Sequence, residues 1–71
     1  MKSWEILYEI QLHYGDYGLE EKHFSIIGYN DAMHFCRCCK EAINCHEVMC
    51  INAFTGEVIY HYHNGKVEIS R

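Results

Sequence analysis

The chain has 71 residues, and its ten acidic and six basic side chains give a formal net charge of −4 at pH 7 with neutral histidines. A chain of this length forms one domain, residues 1–71, and leaves little room for an enclosed catalytic cleft. Its Lys and Arg residues are scattered, which argues against binding to nucleic-acid backbones. Apolar residues make up 49% of the chain, and this share predicts a packed core.

Two extended runs predict a first hairpin. Residues 4–14 alternate between two faces over the whole run, which is the period of a half-buried strand. One of these faces carries Trp4, Ile6, Tyr8, Ile10, Leu12 and Tyr14. The Gly15-Asp16-Tyr17-Gly18 stretch predicts a turn. A second predicted strand then runs from Glu20 to Tyr29.

The periodicity changes to that of a helix after Asn30-Asp31, two residues that favour N-cap positions. Apolar residues at spacings of three and four predict a helix from about Asp31 to Ile43. This stripe consists of Ala32, Phe35, Cys36, Cys39 and Ile43. Met33 falls outside the stripe, and Asn44 is a candidate for a left-handed residue after the helix.

Residues 46–70 predict three strands joined by two turns. Asn64-Gly65 is typical of a type I′ hairpin, and Gly56 supplies a left-handed residue in the other turn. The element order is therefore ββαβββ. Short local connections then predict an α+β fold, in which one helix packs on one face of a five-stranded antiparallel sheet with the strand order 2-1-3-4-5.

The turns also predict the pairing of the last three strands. Met49 should lie opposite His61, and Ile51 opposite Ile59. On this pairing Val58, Tyr60, Tyr62, Val67 and Ile69 point toward the helix, whereas Met49, Ile51 and Ile59 point away from it.

The sheet face away from the helix is the predicted functional surface. Its apolar centre would consist of Leu7, Ile27, Met49, Ile51 and Ile59. Its polar rim would consist of Glu5, Glu9, Glu47, His61, His63 and Glu68. Such a surface is typical of a protein interface, although scattered exposed hydrophobic side chains are the alternative. We therefore predict that the rim residues, with Met49, Ile51 and Ile59, bind a protein partner, with homodimerisation as one form of that binding.

Five cysteines between residues 36 and 50 offer a different interpretation, a small structural zinc-binding domain. Its ligands would be Cys36 and Cys39 with two of Cys45, His46 and Cys50. Both Cys36 and Cys39 lie on the apolar helix stripe, however, where buried thiols are ordinary core residues. Core packing is therefore the leading interpretation, and zinc remains the alternative to a domain without a cofactor.

The histidines of the fourth predicted strand offer a second geometry for a metal. His61 and His63 share a face, with Glu68 and Glu47 opposite them. Cross-strand His–Glu pairs on a solvated face explain the same pattern, and we favour that interpretation.

No sequence motif indicates catalysis. The chain has no P-loop, no dinucleotide-binding glycine turn and no G-x-S-x-G elbow. Cys38 with a histidine and a carboxylate would need a cleft that a small domain does not readily form, so we expect a non-enzymatic protein. The first residues lack the pattern of a signal peptide and no apolar run reaches the length of a membrane span, so we expect a cytoplasmic protein with reduced cysteines.

Three features together resemble small acidic single-domain proteins of phages and mobile elements. They are the alternating first strand, the F-S-I-I-G-Y run into a capped helix, and the final T-G-E-V-I-Y hairpin. Some proteins of this kind are stoichiometric inhibitors of host defence nucleases, of the anti-CRISPR type. The resemblance lies in size, acidity and element order, and it implies an acidic inhibitor that covers a basic, nucleic-acid-binding surface of a host protein. It implies no functional residue.

Overall fold

A computed structural model describes residues 5–42 and 44–71 of the chain. Within these residues, one α-helix packs against a five-stranded antiparallel sheet with the strand order β2-β1-β3-β4-β5. The elements are β1 (Leu7–Tyr14), β2 (Glu20–Ile27), α1 (Tyr29–Lys40), β3 (Cys45–Asn52), β4 (Val58–His63) and β5 (Lys66–Ser70). The predicted α+β class and the predicted strand order are confirmed.

The core lies between α1 and one face of the sheet. Alternate residues of β1 and β3 point into it, because successive side chains of a strand face opposite sides. The buried side chains are Tyr8, Ile10, Ala32, Met33, Cys36, Val48, Cys50, Ile59 and Tyr60. Next to this cluster, Phe24 of β2 packs on Phe35 of α1 with 4.9 Å between the ring centres.

The helix begins earlier than the sequence pattern predicted. Gly28 precedes α1 with a φ of 101°, a conformation that favours glycine, and its carbonyl accepts the Ala32 N–H. Asn30 and Asp31 therefore lie in the first turn and not at the N-cap. With Tyr29 as its first residue, α1 has apolar side chains at i, i+3, i+4 and i+7. Met33 is the i+4 residue of that series, so its predicted position outside the stripe is wrong, and it is only 1% exposed.

The predicted turns are confirmed by their backbone angles. The φ values of Asn64 and Gly65 are 47° and 87°, as a type I′ hairpin requires. Gly56 has a φ of 76°, and Asn44 one of 66°. Two residues of the predicted elements, Trp4 and Ile43, lie outside the described residues.

A bulge changes the pairing between β3 and β4. Met49 lies opposite His61, as predicted, and Cys50 lies opposite Tyr60, but Ile51 lies opposite Val58. Ile59 is therefore an extra residue on β4, and the predicted pairing of Ile51 with Ile59 is wrong. Ile59 is 8% exposed and belongs to the core. The physical reason is that a bulge places two residues of one strand against one residue of its neighbour, and so reverses the faces beyond it.

A second bulge changes the pairing between β4 and β5. Tyr62 lies opposite Val67 as predicted, but His61 lies opposite Ile69 and not opposite Glu68. Glu68 is the extra residue here. The predicted position of Ile69 on the helix side is therefore wrong, because residues directly opposite each other share a face.

A candidate protein-interaction surface

We use the name back face for the sheet surface opposite α1. The strand pairing places on it Leu7, Glu9, Gln11, His13, Glu21, His23, Ser25, Ile27, Glu47, Met49, Ile51, Val58, His61, His63, Lys66 and Ile69. The bulge residue Glu68 also belongs to it, because its Oε2 lies 3.5 Å from Nδ1 of His61. No helix or strand among the described residues covers this surface. Most predicted partner-binding residues lie on it.

Two of those predicted residues lie elsewhere. Ile59 is buried on the helix side, so its predicted role in partner binding is wrong. Val58 was predicted to point toward the helix, but it lies opposite Ile51 on the back face, so that prediction is also wrong. Glu5 is exposed and precedes β1 in the chain, outside the sheet.

The apolar part of the back face crosses four strands. Leu7, Met49, Ile51 and Val58 are half-buried, and Ile27 is 62% exposed. Ile51 lies between Glu9 of β1 and Val58 of β4, and Ile27 lies opposite Leu7. These side chains form an apolar band from the β2 edge to β4. Each of them is still partly exposed to solvent, so the band can contact another protein.

A His–Glu network lies beside this apolar band. Oε2 of Glu47 is 2.7 Å from Nε2 of His61, and Oε1 of Glu47 is 3.7 Å from Nε2 of His13. The other ring nitrogen of His61, Nδ1, is 3.5 Å from Oε2 of Glu68. His63 stacks on His61 with 6.1 Å between the ring centres. The network therefore holds the His61 ring between two carboxylates.

His13 is the member of this network that sequence reasoning missed. It lies in the outward half of the alternation in β1, and the structure pairs it with Glu47. Finding it needed the register between β1 and β3, and no hairpin turn fixes the register of strands that a helix connects.

The back face carries more negative than positive charge when its histidines are neutral. Its strands present the four carboxylates of Glu9, Glu21, Glu47 and Glu68 and the single ammonium group of Lys66. Glu9 is held in place by Ser25, whose hydroxyl donates to Oε2 of Glu9 at 2.8 Å. This balance favours a positively charged partner surface.

The structure divides the predicted zinc ligands among three places. Cys36 and Cys50 are 0% exposed within the core, whereas Cys39 and Cys45 line a cavity of about 260 Å³ near the end of α1. His46 points toward the short 3₁₀ turn that follows β1 (Asp16–Gly18), where its Nε2–H donates to the Gly15 carbonyl at 2.8 Å. Across residues 5–42 and 44–71, no group of three or more His, Cys, Asp or Glu side chains is arranged to hold a metal ion.

Burial holds most of these thiols in their neutral form. Loss of solvation raises the pKa of Cys39 and of Cys45 above the usual value for a thiol. The pKa of Cys36 is raised further, first by its hydrogen bond with Cys50 and then by burial. Neutral thiols are poor nucleophiles, and these three side chains pack within the apolar core or against it.

Cys38 is different, because it lies on the exposed side of α1. Its Sγ is 3.6 Å from Nε2 of His34, one helical turn earlier. Of the three groups that a thiol enzyme would need, the structure brings together this thiol and an imidazole. Among the described residues, no carboxylate is a hydrogen-bond partner of His34.

Comparison of the chain with protein-family models, with curated protein sequences and with solved structures finds no match. Function is therefore inferred from the chemistry of the chain's own surface. In the part of the chain that the structure describes, the helix is too short and too polar to cross a membrane.

Proposed function

We propose that this chain is a non-enzymatic, acidic binding module that covers a surface of a protein partner with its back face. The observation that carries the proposal is the combination of an apolar band and a surplus of carboxylates on one uncovered side of the described sheet. Protein interfaces combine an apolar centre with a polar rim in this way. The rigid antiparallel sheet holds both parts in fixed positions, which lowers the entropy lost on binding.

The two parts of the back face have different tasks in this proposal. Met49 and Ile51 supply apolar area at the centre, and burying that area slows dissociation of the complex. Glu9 and Glu68 lie on either side of the apolar centre and attract a basic partner, which raises the association rate.

The partner that fits this chemistry has a basic surface of the kind that binds nucleic acid. Covering that surface would block it stoichiometrically, as inhibitors carried by phages and mobile elements do with host defence proteins. The five free cysteines fit a reducing compartment, so we place the action in the cytoplasm.

A charge-matched comparison of association rates tests the electrostatic part. The partner is first captured from a lysate of the native host with the wild-type chain and identified by mass spectrometry. Glu9→Gln with Glu68→Gln then removes two carboxylates from the back face. Glu20→Gln with Glu41→Gln removes two exposed carboxylates from other surfaces and serves as the control.

We expect the back-face pair to slow association several-fold at low salt, and the control pair to change it much less. The difference should shrink as the salt concentration rises, because salt screens exposed charges. Equal association rates for the two double variants would contradict the proposed role of the back face.

A further inference from the structure

The two edge strands of the sheet differ in how they are protected. β5 has five residues and carries a bulge at Glu68, and both features discourage pairing with another chain. β2 has eight residues and pairs with β1 without any shift of register. β2 is therefore the edge that is suited to accept another strand.

The hydrogen bonds of β1 show which groups of β2 point outward. The Gly28 N–H donates to the Ile6 carbonyl at 2.9 Å, so the even-numbered residues of β2 bond to β1. The Ala53 N–H donates to the Leu7 carbonyl at 2.9 Å, so the odd-numbered residues of β1 bond to β3. The even-numbered residues of β1 are therefore the ones that bond to β2, which agrees with the first hydrogen bond. The outward N–H and C=O groups of β2 therefore belong to Glu21, His23, Ser25 and Ile27. No strand in the described part of the chain pairs with them.

The second half of this edge is apolar on both of its sides. Ile27 is 62% exposed on the back face, and Phe24 and Ile26 are half-buried on the helix side, where they pack against the core. Charged side chains are confined to the first half, residues 20–23. An exposed apolar edge with free backbone groups is a template for strand addition.

We propose that two copies of this chain pair antiparallel through their β2 strands, with the two-fold axis at Phe24. A two-fold axis that relates antiparallel neighbouring strands is perpendicular to the sheet, so opposed residues must share a face. The register centred on Phe24 meets this condition. It places His23 opposite Ser25 of the second copy, and Glu21 opposite Ile27 of the second copy.

This register uses the whole edge. All four outward residues of each copy form hydrogen-bonded pairs, and the aliphatic stem of Lys22 lies along Ile26 of the second copy. The neighbouring registers, centred on His23 and on Ser25, each leave one outward residue, Ile27 or Glu21 respectively, without an opposed residue of β2. Pairing at Phe24 joins the two sheets into one and brings the two back faces to the same side. The inference does not depend on what the back face binds.

The test is the association state of the purified chain over a range of concentrations, measured by analytical ultracentrifugation. Ser25→Pro removes one outward N–H and keeps every bond to β1, a position at which an edge strand tolerates proline. Ser25→Ala is the matched control, because it also loses the hydroxyl bond to Glu9 but keeps the N–H.

We expect the wild type and Ser25→Ala to form dimers with similar dissociation constants. The dimer dissociation constant of Ser25→Pro should be at least tenfold higher than that of either. A wild type that is monomeric throughout, or a dimer that Ser25→Pro leaves unchanged, would overturn the proposal.

Amide hydrogen exchange of the wild type gives a second result that does not require the proline variant to fold. The amides of Glu21, His23, Ser25 and Ile27 should exchange more slowly in the dimer than in the diluted chain. If they exchange equally fast in both, the copies do not pair through β2. If only an added partner protein slows them, the edge accepts a strand of that partner and self-pairing is overturned.

Discussion

Glu47 binds His61 across two neighbouring strands, with 2.7 Å between Oε2 and Nε2, and reaches toward His13 on its other side. One carboxylate on β3 thus contacts side chains of both adjacent strands, β1 and β4. The side chains of Glu47 and His61 are largely buried, at 25% and 18% exposure. The contact therefore belongs to the sheet itself and helps to fix the shape of the back face.

A double-mutant cycle of Glu47→Ala and His61→Ala should give a coupling free energy of about 0.2–1 kcal/mol, the range measured for cross-strand pairs. The free energies of unfolding would come from urea titrations near neutral pH. The control cycle combines His61→Ala with His23→Ala, two residues without a contact, and should be additive. A Glu47–His61 coupling no larger than that of the control would show that the contact is not formed.

The burial of Ile59 predicts that replacing it by valine costs more stability than replacing Ile51 by valine. Ile59→Val should lower the free energy of unfolding by about 0.5–1.5 kcal/mol, because it removes a buried methylene group. Ile51→Val removes the same group from the half-buried back face and should cost less than about 0.5 kcal/mol. An equal loss of unfolding free energy at the two positions, or a larger loss at Ile51, would contradict the conclusion that the bulge places Ile59 in the core.

Tyr60 has a buried hydroxyl for which no hydrogen-bond partner is found among the described residues, and its side chain is 2% exposed. Burial raises the pKa of this phenol above the usual value for tyrosine. Tyr60→Phe removes an unpaired polar atom and should leave stability unchanged or raise it by up to about 1 kcal/mol. Thermal unfolding measures the change, and a loss above about 1 kcal/mol would mean that the hydroxyl does have a partner.

The environments of the cysteines predict an order of reaction with a thiol-alkylating reagent. Cys38 should react first, since it is exposed. Cys39 and Cys45, whose pKa values are raised by burial, should follow slowly at neutral pH and react faster as the pH rises. Cys36 and Cys50 should react only on unfolding. Peptide mass spectrometry at successive times measures the extent of alkylation at each cysteine. Equal labelling of all five cysteines would contradict the burial of Cys36 and Cys50 in the core.

Removal of metal provides a separate check on the cysteines. Because the structure divides Cys36, Cys39, Cys45, His46 and Cys50 among the core, a cavity and a turn, we expect a chelator to change neither the mass nor the unfolding temperature. Native mass spectrometry with and without the chelator makes the measurement. A bound zinc ion whose loss unfolds the chain would support the zinc-binding domain instead.

The sequence predicted the parts of this fold that local chemistry determines. Alternation identified β1, and the Asn64-Gly65 turn fixed the first pairs of β4 with β5. The bulges could not be predicted, because each adds one residue without a distinctive composition. At Ile59-Tyr60 both residues are apolar, so either could face the core. The same limit misplaced Ile59 and Ile69. His13 was missed for a different reason, because its neighbour is set by the tertiary pairing of β1 with β3.

The most direct measurement of the central claim is the binding of the identified partner to a variant with a charged back-face centre. Met49→Asp with Ile51→Asp adds two negative charges to that centre. Asn30→Asp with His34→Asp adds two exposed acidic residues to α1 and serves as the control. Thermal unfolding first establishes that both variants are folded.

Binding is then measured by titration calorimetry. We expect the back-face variant to lose at least a hundredfold in affinity and the control to bind as the wild type does. A folded back-face variant that binds with unchanged affinity would contradict the account, as would one that does not fold, because Met49 and Ile51 would then be required by the core.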